Sequence, residues 1–89
     1  MNVTFDRSFL KSIDKLADAD VKEKVAALIE QVEAVASLSE VSHLKKMAGF
    51  KTFYRIRLGD YRVGVELEPG ATVRFIIVAH RKDIYRIFP

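Results

Sequence analysis

The chain opens on a short β-prone stretch, Asn2-Val3-Thr4-Phe5, and then changes period. Phe9, Leu10, Ile13, Leu16 and Ala17 recur at spacings of three and four, the repeat of one helical face. Asp6 or Thr4 stands where a side chain would cap that helix. Asp18-Ala19-Asp20 interrupts the stripe, and Asp20 with Glu23 resembles a capping box for a second helix. Val21, Val25, Leu28, Ile29, Val32 and Val35/Ala36 give that helix a longer apolar stripe. Two such helices on a short link predict an antiparallel hairpin lying on a sheet, with the stripes as core rather than as a cofactor groove. Ser37 to Phe50 keeps neither period and reads as a connector. Leu44 and Met47 anchor it, and His43 reads as a surface or capping residue.

From residue 52 the period becomes two. Thr52-Phe53-Tyr54-Arg55-Ile56-Arg57-Leu58 and Tyr61-Arg62-Val63-Gly64-Val65 meet at Gly59-Asp60. Gly first in a two-residue loop suits a type II′ turn, since glycine reaches positive φ without steric cost. That loop sets Leu58 opposite Tyr61, Arg57 opposite Arg62, Ile56 opposite Val63 and Arg55 opposite Gly64. Alternation then gathers Tyr54, Ile56, Leu58, Tyr61, Val63 and Val65 on one face, and Arg55, Arg57 and Arg62 on the other.

Glu68-Pro69-Gly70-Ala71 predicts the next turn and Thr72–His80 the last strand. Phe75-Ile76-Ile77-Val78-Ala79 is apolar at both parities, which predicts cover on both faces and a central place in the sheet. A two-residue Pro-Gly loop would turn Arg74 toward the helices, so a longer loop or a bulge is expected. The fold class is α+β, ordered β-α-α-β-β-β. A helical hairpin packs on one face of a small, mainly antiparallel sheet, and residues 1–89 form a single domain.

Composition narrows the chemistry. No cysteine is present, which excludes a disulfide framework and a thiolate metal site. His43 has no second ligand-type residue at metal spacing, and neither a metal nor a cofactor is expected. The longest apolar run is too short to cross a bilayer, and Met1 to Asp6 does not look like a signal peptide, so a soluble cytoplasmic protein without a membrane partner is expected. Charge is polarised: residues 1–40 hold five Lys/Arg against eight Asp/Glu, whereas residues 41–89 hold ten against four. Like charges across a hairpin destabilise it, so three guanidiniums on one face point to a polyanion. An Arg-rich solvated face is the plainer alternative.

Leu44-Lys45, Tyr54-Arg55-Ile56-Arg57, Gly59-Asp60-Tyr61-Arg62 and Val78-Ala79-His80-Arg81-Lys82-Asp83-Ile84-Tyr85-Arg86 together resemble the RelE branch of the RelE/ParE toxin superfamily. The likeness runs over essentially the whole chain. It implies the toxin of a type II toxin–antitoxin pair, an endoribonuclease that cuts mRNA in the ribosomal A site and is neutralised by a cognate antitoxin. The resemblance makes Arg62 and Arg81 the phosphate-binding and leaving-group arginines, and Tyr85 the tyrosine that orients or stacks on the nucleotide.

Metal-free cleavage requires an oriented 2′-hydroxyl, donors for the extra phosphoryl charge and a proton for the leaving oxygen. Arg55 and Arg57, with Lys45, Lys46, Lys51 and Lys82, supply further phosphate-binding charge. Arg55 and Arg57 stand where the best-known RelE type carries lysines, and a guanidinium stays protonated, so the base lies elsewhere. His80 is the candidate acid or base, against a strand-end role bonded to backbone. Tyr85 alternatively plugs the end of the sheet. A ParE-like toxin acting on DNA gyrase and an inactive antitoxin-binding module are the competing functions.

Overall fold

Asp6 converts the first strand into the first helix. Its carboxylate accepts from the Ser8 amide at 3.2 Å, which closes β1 (Asn2–Phe5) and caps α1 (Arg7–Lys15). In the computed structural model, which describes residues 1–89, α2 (Ala19–Ala34) is capped by Asp18, not by Asp20. Asp18 is still extended and accepts from the amides of Asp20 and Val21 at 2.9 and 3.3 Å, whereas Asp20 is already inside the helix. Phe9 of α1 and Val21, Val25, Leu28 and Val32 of α2 bury their side chains against the sheet.

The sheet has five strands in the order β1-β5-β4-β3-β2. The residues expected to form a plain connector contain a short edge strand, β2 (Leu44–Lys46), antiparallel to β3 (Phe53–Leu58). Leu44 faces Ile56 across that pair, so an anchor residue drew its neighbours into the sheet. β3 and β4 (Tyr61–Glu68) pair in the register expected, from Leu58 opposite Tyr61 to Arg55 opposite Gly64. Gly59 takes φ +62 and is the only positive-φ residue of that loop, as a type II′ turn requires.

β5 (Thr72–His80) lies between antiparallel β4 and parallel β1. The loop before it has three residues, with Gly70 and Ala71 both at positive φ, and a bulge follows as well. Gly64 pairs with Ile77 and Val65 with Phe75, leaving Ile76 as the extra residue. Longer loop and bulge therefore both occur. Val73, Phe75 and Val78 point into the core, and Arg74 faces away from the helices onto Asp6, Glu66 and Glu68 at 2.7, 2.8 and 3.5 Å.

The outer face is not left bare. A short helix, α3 (Ile84–Ile87), folds back across it, burying Ile84 and Phe88. The Phe88 ring lies on Gly64, where a Cβ would stand 2.7 Å from its nearest atom, and meets Phe53 edge-on at 5.7 Å. The tail thus covers the middle of this face, with Arg57 and Arg62 nearest the β3–β4 turn and Arg55 level with Gly64, against Tyr85.

Candidate functional site

Arg55, Arg57 and Arg62 share the outer face because each falls on the parity opposite to Ile56 and Val63. Lys45 joins them as the cross-strand partner of Arg55. With Tyr85 from α3, His43 and Leu44, these residues line an open cavity of about 400 Å³. It contains four cationic side chains and no carboxylate. The ion pairs of the structure lie elsewhere, on Arg74 and Arg86.

Arg55 is the most constrained of the four. It is 7% exposed, its Cζ sits 4.6 Å from the centre of the Tyr85 ring, and its Nη1 has no hydrogen-bond partner. A buried guanidinium donor without an acceptor is costly, and the facing Tyr85 ring offsets part of that cost. Arg57 and Arg62 oppose one another directly across the strands. Repulsion there is relieved by turning apart. Arg62 curls back so that Nη1 donates to the carbonyls of Gly59 and Tyr61, both at 2.9 Å, and Arg57 Nη2 reaches His43 Nδ1 at 3.1 Å.

Other expected site residues lie apart from this cavity. His80 pairs with Tyr61 on the helix side of the sheet, its ring edge-on to the tyrosine, and its Nδ1 accepts from the Lys82 amide at 3.2 Å. That is the strand-end arrangement, and His80 is not among the cavity's residues. Lys46 pairs with Tyr54, a core-side residue, so it too belongs to the helix side of the edge. Lys51 lies exposed in the β2–β3 loop and Lys82 in the turn after β5. Arg81 is exposed in that same turn, two residues beyond Ala79, the cross-strand partner of Arg62. Its amide donates to the Asp60 carbonyl at 2.8 Å, tying it to the tip of the β3–β4 hairpin.

His43, read from the sequence as a surface or capping residue, is exposed and borders this cavity. What composition did not reveal is that His43 sits at φ +63, with its carbonyl accepting from the Arg57 amide at 3.1 Å.

Residues 3–85 match a family model described as the ParE toxin of the type II toxin–antitoxin system parDE. A relative from Methanocaldococcus jannaschii, Toxin RelE3, is 37% identical over 90 residues that span all of both chains. The RelB–RelE antitoxin–toxin complex from Methanococcus jannaschii contains a chain that aligns with a TM-score of 0.81 at 34% identity, covering 97% of this chain and 99% of that one. Isolated E. coli RelE aligns with a TM-score of 0.67 at 26% identity, covering 94% and 89%. No helix in the structure is long and apolar enough to cross a membrane.

Proposed function

Because the chain belongs to the RelE/ParE superfamily of type II toxin–antitoxin toxins, we propose that it is a ribosome-dependent mRNA endoribonuclease acting in the cytoplasm. Residues 1–89 form one toxin domain, and a cognate antitoxin is its protein partner, as RelB is for the RelE of the matched complex. The observation that carries the reading is the buried, unpartnered Arg55 guanidinium in a cavity with three further cations and no carboxylate. Antitoxin docking alone gives no reason to bury a guanidinium in this way.

In the proposed reaction the scissile phosphate sits against Arg55, Arg57 and Arg62, whose forked donors match its oxygens. Fixed donors of this kind favour the transition state, where the phosphoryl group carries extra negative charge. Lys45 holds the adjoining backbone, and the exposed face of Tyr85 stacks on a nucleotide base. Arg81 approaches from the hairpin tip toward the leaving oxygen. The 2′-hydroxyl attacks in line, leaving a 2′,3′-cyclic phosphate and a 5′-hydroxyl.

The matching family model is described for ParE toxins, so poisoning of DNA gyrase is the competing function. Induction in cells separates the two, with mRNA 5′ ends mapped while plasmid supercoiling is followed. New ends in phase with codons and normal supercoiling are expected. Blocked supercoiling without new ends would overturn the proposal.

A further inference from the structure

We propose that His43 is the base that removes the 2′-hydroxyl proton, and that Arg57 covers its lone pair until a phosphate is bound. This rests on the nuclease reading and supplies what the arginines lack, a group able to accept a proton. The chain has two histidines, and only His43 borders the cavity. Arg57 holds it at two points. Its amide donates to the His43 carbonyl at 3.1 Å, and its Nη2 lies 3.1 Å from His43 Nδ1.

An arginine side chain has donors and no acceptor, so Nδ1 is the acceptor in that contact. The ring is then neutral, with its proton on Nε2, and the Nδ1 lone pair is engaged by the guanidinium. A phosphate oxygen is a stronger acceptor for that guanidinium than a neutral ring nitrogen, because the bond is charge-assisted and can be bidentate. RNA entering the cavity therefore draws Arg57 away and exposes Nδ1 beside the bound phosphate.

The 2′-hydroxyl then gives its proton to Nδ1 as the 2′-oxygen bonds to phosphorus. The bond from phosphorus to the 5′-oxygen breaks, and its electron pair leaves with that oxygen, which takes a proton from a water molecule. The imidazolium returns its proton to the hydroxide so formed, and the ring ends neutral. Besides Arg57, the charged or titratable groups facing His43 are Lys45, Arg55, Arg62 and Tyr85 across the cavity, and Lys24 from α2 behind it. The left-handed backbone at residue 43 is a conformation that glycine adopts freely. His43→Gly is therefore compatible with the fold and opens a space for free imidazole.

The test is single-turnover cleavage of mRNA on programmed ribosomes, with wild type and His43→Gly compared over pH with and without imidazole. The expected result is a loss of roughly 10²–10⁴-fold, recovery with added imidazole, and disappearance of the acid limb of the pH–rate profile. His43→Gln, which keeps bulk and polarity, should show the same loss, and thermal melting of both variants should remain cooperative. A His43→Gly rate within about threefold of wild type overturns the inference and leaves the nuclease standing. So does a loss with no response to imidazole and the acid limb intact. A wild type that leaves ribosomal mRNA uncut removes the nuclease and this inference together.

Discussion

Gly64→Ala should destabilise the protein through a single ring. An alanine Cβ would lie 2.7 Å from Phe88 Cδ1 and 2.8 Å from Cε1 and Cγ, well inside van der Waals contact. The ring has little room to give way, because Phe88 is 4% exposed and is held edge-on by Phe53. Overpacking of this kind costs about 1–3 kcal/mol. The ceiling is set by expelling the ring altogether, which forfeits about 1.5–3 kcal/mol of burial. For a domain of this size, a melting temperature lower by about 5–20 °C follows. Tyr85 would move with the tail, so the cavity would lose a wall. The decisive assay is a double-mutant cycle by thermal or urea unfolding with Phe88→Ala. Once the ring is gone the three closest contacts of the new methyl go with it, so most of the Gly64→Ala cost should vanish in the Phe88→Ala background, a coupling of about 1–3 kcal/mol. Equal costs in both backgrounds would refute the claim that Gly64 is small to admit Phe88.

The remaining predictions concern charge. Asp6 is held below its ordinary value of 3.8 chiefly by the Ser8 hydroxyl, then by the Ser8 amide and Arg74, and Glu66 below 4.5 chiefly by its hydrogen bond from Arg74. Carboxyls depressed in the folded state bind protons first when unfolded, so their stabilisation is complete above about 4.5 and is lost as pH falls through the folded values. Arg74→Met should accordingly flatten the acid side of a stability–pH curve, and an unchanged curve would contradict the assignment. Binding to a single-stranded RNA should weaken with salt at a log–log slope of roughly −2 to −3 for four phosphate contacts, and Arg57→Gln should reduce that slope by about 0.7. A flat response would sink the basic cavity. Arg62→Ala and Arg81→Ala should each abolish growth inhibition with melting temperatures little changed, read by induction in cells and by thermal unfolding of the purified variants. Full toxicity in either would count against its assigned role.

Much of this architecture was legible in the sequence because it rests on local rules. The Gly59-Asp60 turn sets the register of the hairpin, and register sets which side chains share a face, so the arginine cluster followed from alternation alone. The helical stripes and the irregular turn before β5 were readable for similar reasons. What escaped depends on contacts distant along the chain. β2 has three residues and forms because Leu44 finds Ile56. The tail covers the outer face because Gly64 and Phe53 leave a place for Phe88, which no periodicity near residue 88 announces. The positions of the two histidines escaped for the same reason. His80 ends a strand whose parity places it with Tyr61, and His43 reaches the cavity through a left-handed backbone that only Arg57 explains.

The most direct test of the central claim is cleavage of ribosome-bound mRNA by the purified protein, with the 2′-hydroxyl at the mapped cut site either free or methylated. The account predicts a 2′,3′-cyclic phosphate end on the free substrate, no cut at the methylated nucleotide, and no cleavage by an Arg55→Ala variant that still folds. A cut unaffected by 2′-O-methylation, or full activity without the Arg55 guanidinium, would contradict it.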